Sequence, residues 1–211
     1  MKNIMLILLL SFFLVSIFTA CVSDDEEKWS ASDVCSESKR GTFTDERDGQ
    51  EYKYTTIGNQ VWMAENLRYE AKNIICLDEY TDNSSHKHDE FCKKYGAYYP
   101  TNGDSANLRG VDDSFLNDLC PNGWKIPSKE EWQELVDVLE NKKENSDECE
   151  MKIRYAGAYL GDAYGIMYFD FDAIFMTSSV DGNGRLISIR VEDDFVFFNH
   201  FPKMTIRCLK D

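Results

Sequence analysis

The chain opens on one long uncharged run and only later settles into short alternating segments. After Met1-Lys2-Asn3, the seventeen residues from Ile4 to Ala20 carry no charge. A membrane-spanning helix needs roughly 20 apolar residues, so this run suits the apolar stretch of a secretory signal better. Residues 22–40 are polar, acidic and without a clear period, which reads as a tether. From Gly41 onward, period-2 patterns take over. Asp48-Gly49 marks a hairpin turn before Glu51 to Ile57, where Tyr52, Tyr54 and Thr56 share a face. Gly58-Asn59 marks a second turn before Gln60-Val61-Trp62-Met63. After Pro127 the period becomes helical: Trp132, Leu135, Val136 and Leu139 fall at i, i+3, i+4 and i+7. Ser128 and Glu131 have the spacing of a capping box at its start. A polar loop from Asn141 to Asp147 ends this helix, and a shorter helix is expected over Asp113 to Leu119.

Strand patterns return beyond residue 150. Met151, Ile153 and Tyr155 alternate with Lys152 and Arg154, and Ala173 to Thr177 is a compact apolar run suited to a buried strand. Gly182-Asn183-Gly184 is the turn before an alternating segment, Arg185 to Val191; Phe195 to Phe198 and Met204 to Leu209 follow. These elements predict one mixed α+β domain, residues 41–211, with few helices and many short strands.

The junction after the uncharged run, Ile17-Phe18-Thr19-Ala20-Cys21, resembles the bacterial lipobox, with Phe18 where an aliphatic is usual. It implies a signal over residues 1–20, cleavage before Cys21, and lipidation of Cys21. Diacylglycerol plus an N-acyl chain supplies the more than one buried chain that stable anchoring requires. The following Val22-Ser23-Asp24-Asp25-Glu26-Glu27 resembles the surface-export tether of some Gram-negative lipoproteins. The expected location is the outer membrane or cell surface, with the lipid as the only membrane contact.

Assigning Cys21 to lipid leaves six cysteines: 35, 76, 92, 120, 149 and 208. An even number in an exported chain predicts up to three disulfides. Cys76 and Cys92 flank a polar fifteen-residue loop, and Cys120 with Cys208 would tie the middle of the domain to its last strand. Cys35 and Cys149 are left over, and their pairing stays open. No C-x-x-C occurs, which counts against a zinc ribbon or a thioredoxin-type site.

Charge narrows the partners. There are 38 Asp+Glu against 23 Lys+Arg, and Lys2 is the only charge in residues 1–20, so the remainder carries 22 bases, 38 acids and −16. That excess, without a basic stripe, excludes a nucleic-acid partner and disfavours an anionic membrane face.

The motifs in order form a distinctive string. Phe43-Thr44-Asp45-x-Arg47-Asp48-Gly49-x-x-Tyr52 precedes Ile57-Gly58-x-Gln60-x-Trp62-Met63-Ala64-Glu65-Asn66-Leu67. Tyr95-Gly96-x-x-Tyr99 and Cys120-Pro121-x-Gly123-Trp124-x-Ile126-Pro127-Ser128-x-x-Glu131-Trp132 follow, then Thr177-Ser178-Ser179 and Ile206-Arg207-Cys208-Leu209-Lys210-Asp211. The string resembles the Fibrobacter succinogenes major paralogous domain, a family of secreted and lipid-anchored bacterial proteins. The likeness covers about residues 41–211 and is weakest between Asn141 and Tyr155, which holds Cys149. It implies a C-type-lectin-like fold, shared distantly with sulfatase-activating enzymes: two short helices, a small twisted, mostly antiparallel sheet, and long loops. It also implies a Cys120–Cys208 staple. It implies no activity, and a lectin reading from fold alone is analogy.

Candidate sites are few. The calcium-site triplets of C-type lectins, Glu-Pro-Asn, Gln-Pro-Asp and Trp-Asn-Asp, do not occur, so no motif supports calcium and no cofactor is expected. Asp181-Gly182-Asn183-Gly184 reads as a hairpin turn, because Leu186 stands where an EF-hand loop needs Gly. Asp112-Asp113 and Asp193-Asp194 read as solvated faces. His86-Lys87-His88-Asp89-Glu90 has metal-ligand residue types on an extended loop but no third ligand placed by spacing. Trp62, Trp124 and Trp132 read as core, whereas Trp29 sits in the tether. Tyr98, Tyr99, Tyr164, Tyr168 and Phe169 fall in expected loops and are the aromatic candidates for a sugar platform. No histidine suits a cysteine nucleophile. The expectation is a non-catalytic binding module for plant cell-wall polysaccharide or another external glycan. The alternatives are an adhesion protein that binds other surface proteins and, less favoured, an enzyme related to sulfatase-activating proteins.

Overall fold

The computed structural model describes residues 35–71, 74–76, 88–101, 116–141, 149–161, 164–191, 195–199 and 201–211. Cys21, Trp29 and Asp112-Asp113 lie outside them, as do Asp193-Asp194 and His86. A short 3-10 turn, Glu37–Lys39, leads into the first strand, and Cys35 is already buried.

The strands are β1 (Arg40–Thr44), β2 (Glu51–Ile57), β3 (Gln60–Met63), β4 (Tyr99–Pro100), β5 (Trp124–Lys125), β6 (Ala158–Tyr159), β7 (Ile166–Met167), β8 (Ala173–Val180), β9 (Leu186–Val191), β10 (Phe195–Asn199), β11 (Lys203–Met204) and β12 (Leu209–Lys210). The helices are α1 (His88–Tyr95) and α2 (Lys129–Asn141). Among the described residues there are three sheets rather than one, ordered β1-β2-β3-β12-β5, β10-β9-β8 and β4-β11-β6-β7, with antiparallel pairing between the named strands. The fold is α+β.

Both early hairpins form where the turn residues predict. Gly49 and Gly58 take φ of 76° and 61°, and the Asp45 carbonyl accepts from Gly49 N at 2.8 Å. The capping box at α2 is reciprocal: Ser128 Oγ accepts from Glu131 N at 3.1 Å, and Glu131 Oε2 accepts from Ser128 N at 2.8 Å. Two otherwise orphaned amides are satisfied, which fixes where the helix starts. Its apolar stripe then packs Trp132 between Trp62 (4.6 Å between ring centroids) and Phe175 (5.2 Å).

β8 shows why Ala173 to Thr177 lacks polar alternation. Ala173 and Phe175 enter the cluster under α2, whereas Ile174 and Met176 enter the cluster with Met204 and Ile206. A strand covered on both faces needs apolar residues at every position.

Two expectations are corrected, and a third is seen only in part. Met151 to Tyr155 is not a strand: Glu150 and Lys152 take φ of 56° and 43°, and the carbonyls of Met151 and Lys152 accept hydrogen bonds from the buried Arg207 instead of a neighbouring strand. The segment expected to be an extended loop becomes α1 from His88 onward. Of the helix expected over Asp113 to Leu119, Leu116 and Asn117 are helical, and residues 102–115 lie outside the described set.

All six remaining cysteines are bonded. Cys76–Cys92 and Cys120–Cys208 pair with Cα separations of 5.6 and 6.0 Å, and Cys35 pairs with Cys149 at 5.3 Å. These separations suit a disulfide.

Candidate aromatic binding face

Residues 155–161 and 164–171 carry a hairpin and a tight loop that bring unusual side chains to the surface. β6 and β7 pair through Ala158↔Met167 and Tyr159↔Ile166. The turn between them is closed at Gly161, whose carbonyl accepts from Tyr164 N at 3.0 Å and Gly165 N at 2.8 Å. Behind β7 the chain folds sharply, with Tyr168 and Asp170 at φ of 63° and 61°. A left-handed conformation costs a residue with a side chain about 1–2 kcal/mol, so the loop must be held from outside. It is: Tyr155 O accepts from Asp170 N at 2.9 Å, and Asp172 O accepts from Gly157 N at 2.8 Å. A Cβ on Gly157 would overlap the Met167 carbonyl oxygen, so only glycine allows the two segments this close.

The sharp fold sends neighbouring side chains opposite ways. Phe169 turns inward, 5.8 Å from Phe91 and 5.0 Å from Tyr95 of α1. Tyr168 and Phe171 stay outside. Tyr168 is steadied on its flank by Phe201, edge-on at 6.2 Å, and by the Arg190 guanidinium 5.4 Å from its ring centre. Arg190 is itself fixed by Asp172, with Nε to Oδ2 at 2.9 Å.

Among the described residues, six large hydrophobic side chains are exposed, and five belong to this segment: Tyr155, Tyr164, Met167, Tyr168 and Phe171, with Val180 the sixth. Tyr164 and Phe171 are 72% and 76% exposed. Scattered exposed apolar residues are ordinary, but their concentration on one pinned segment makes it the candidate interaction surface.

The expected platform residues separate. Tyr164 and Tyr168 are exposed on this segment, and Phe169 is its inward anchor. Tyr98 and Tyr99 are not: both are fully buried, Tyr98 bridging Ile75 and Tyr99 pairing in β4 with β11. Their hydroxyls donate to Ala156 O and Tyr69 O, and burial pushes both phenols well above their usual pKa. Sequence reasoning missed Tyr155, Met167 and Phe171; the available signal was the density of Tyr and Phe around Gly157, Gly161 and Gly165.

Other candidate positions have structural roles. Asp181 Oδ1 accepts from Asn183 N at 2.8 Å and Arg185 N at 3.0 Å, which makes Asp181–Gly184 the β8–β9 turn. Those backbone bonds, with Arg185's side chain, hold its carboxyl well below the usual range. Trp62, Trp124 and Trp132 are buried. Among the described residues no three His, Cys, Asp or Glu side chains gather to hold a metal. No helix among them is long and apolar enough to cross a membrane.

A family model described as the Fibrobacter succinogenes major domain matches residues 55–210, more than half of the chain. The chain belongs to that family. The match begins at Thr55 within β2, and the aromatic face lies wholly inside it. No curated protein and no solved structure matches the chain. The function of this Fibrobacter succinogenes major domain must therefore be argued from its own surface.

Proposed function

We propose that this protein is a lipid-anchored, surface-exposed, non-catalytic binding module for an external glycan, with plant cell-wall polysaccharide as the leading class. The observation that carries the reading is the exposed aromatic face of residues 155–171, held on a braced loop. Sugar rings present flat C–H faces that stack on aromatic rings, and a pinned platform loses little conformational entropy on binding. Export and anchoring through Cys21 at the outer membrane or cell surface rest on the lipobox-like junction, and the bonded cysteines suit an oxidising compartment. The fold is read as a C-type-lectin-like relative on the basis of its two helices, antiparallel strands and Cys120–Cys208 staple. No cofactor is invoked, and the bonding of all six cysteines after Cys21 favours binding over a thiol-based enzyme.

The test is retention of the full chain, in a detergent without a sugar headgroup, on insoluble cellulose, xylan and pectin. Retention on at least one is expected, and none on any sinks the glycan reading. Met167 within the face favours a second reading, adhesion to another surface protein, because thioethers adapt to protein partners. Cross-linking on intact cells separates the two.

A further inference from the structure

A cleft of about 290 Å³ opens on the five-stranded sheet, between the end of β1 and the Pro121–Trp124 turn. The aromatic face belongs to a different sheet. The volume lies near the lower end of small-molecule pockets, about 300–1,000 Å³.

Both walls are rigid. Arg47 binds Asp45 through Nε to Oδ1 at 2.9 Å and Nη2 to Oδ2 at 2.7 Å. It also donates to the carbonyls of Asp118 at 2.6 Å and Leu119 at 3.0 Å, locking the β1–β2 turn to the chain before Cys120. On the far side the Cys120–Cys208 bond joins the two segments that enter the opposite wall. There Trp124 N donates to Pro121 O at 2.9 Å, and Asp211 N donates to Gly123 O at 3.0 Å. Phe43 stacks on Trp124 at 4.5 Å between centroids and 19° between planes, giving the cleft an aromatic wall. Such a preformed site needs little ordering to receive a ligand.

The lining defines what fits. Two acids, Asp45 and Glu46, face two bases, Arg47 and Lys210, so the formal charges cancel. Asp45 and Arg47 are spent on each other, which leaves exposed Glu46, Asn122 and Lys210 at the rim. Those three offer acceptors and donors together, and a sugar hydroxyl both donates and accepts. With Glu46 and Lys210 both at the rim, a phosphate would meet a carboxylate and a cation would meet an ammonium.

We propose that this cleft is a second binding site, one that takes a single neutral sugar ring. The site does not depend on the aromatic face. It is tested by saturation-transfer NMR on the full chain in a detergent without a sugar headgroup. The probes are methyl β-glucoside, methyl β-xyloside, methyl β-galactoside and N-acetylglucosamine. At least one probe is expected to bind. Asn122→Ala and Lys210→Ala, both at exposed positions, should each weaken it about tenfold, the size of one lost hydrogen bond to a polar or charged group. Phe171→Ala should leave its affinity unchanged. Circular dichroism of each variant checks the fold. If no probe binds, or if neither rim variant weakens binding, the proposal is overturned. Retention on insoluble polysaccharide reports on the aromatic face separately.

Discussion

Arg207 and Asn66 are joined twice: Nε and Nη2 of the guanidinium both donate to the amide oxygen, at 3.0 and 2.5 Å. Arg207 is fully buried, and among the described residues no carboxylate pairs with it. Nη1 donates to the carbonyls of Met63 and Met151 and Nη2 to that of Lys152, so all five N–H donors are used. Asn66 returns to the fold through Nδ2, which donates to Tyr95 O at 2.8 Å. Burial pushes the Arg207 pKa down to about 9, so the group keeps its proton at neutral pH. Asn66→Ala would orphan two charged donors and should lower stability by about 3 kcal/mol. Arg207→Lys, with three donors for five, should cost a similar amount. Urea unfolding midpoints decide this, and losses below about 1 kcal/mol would refute the coupling.

The three disulfides predict that denatured, non-reduced protein releases no reactive thiol from residues 35–211. The Cys35→Ala, Cys149→Ala pair removes the longest cross-link, a sequence separation of 114. It should cost roughly 2–4 kcal/mol, chiefly by freeing the unfolded chain. An unchanged midpoint under oxidising conditions would contradict the pairing.

On the aromatic face, Tyr164→Ala and Phe171→Ala should leave stability within about 0.5 kcal/mol, because exposed side chains contribute little to folding. Each should cut retention on polysaccharide several-fold. Gly157→Ala should act on both, lowering stability by more than about 1 kcal/mol because the new methyl meets the Met167 carbonyl and the backbone is left-handed. Equal retention by wild type and Phe171→Ala would move the binding surface elsewhere.

Asp45 gives a pH signature. Burial opposes its ionisation, but the hydrogen bonds and charge of Arg47 outweigh that and hold the carboxyl below its usual value. A depressed folded-state pKa means the stabilisation is complete above the unfolded value, about 3.9, and is lost as pH falls through the folded one. Asp45→Asn should therefore cost roughly 2 kcal/mol at neutral pH. Its stability should converge on wild type in strong acid. Parallel curves down to pH 2 would rule this out.

What the sequence makes legible is what local chemistry decides. Gly49, Gly58 and the Ser128–Glu131 pair each specify a turn or cap within a few residues, and each forms. α1 is harder to see because its apolar content is small; Phe91 and Tyr95, at i and i+4, were the available hint. Tyr98-Tyr99 looks like surface beside polar loops, yet pairing with Ile75 and β11, distant in sequence, buries it. Met151 to Tyr155 alternates like a strand, but Arg207 claims the Met151 and Lys152 carbonyls from 56 and 55 residues away. The aromatic face was half legible. Tyr164 and Tyr168 stand out as loop aromatics, but the left-handed turns that expose Phe171 and sink Phe169 leave no sequence mark.

The Cys35–Cys149 bond has a mechanical consequence. A pull applied to the chain at Cys35 passes through the sulfur bridge directly to Cys149. The hydrogen bonds between β1 and β2, which would otherwise unzip one at a time, are shielded from that load. Against such a load the grip at this end of the described fold is covalent.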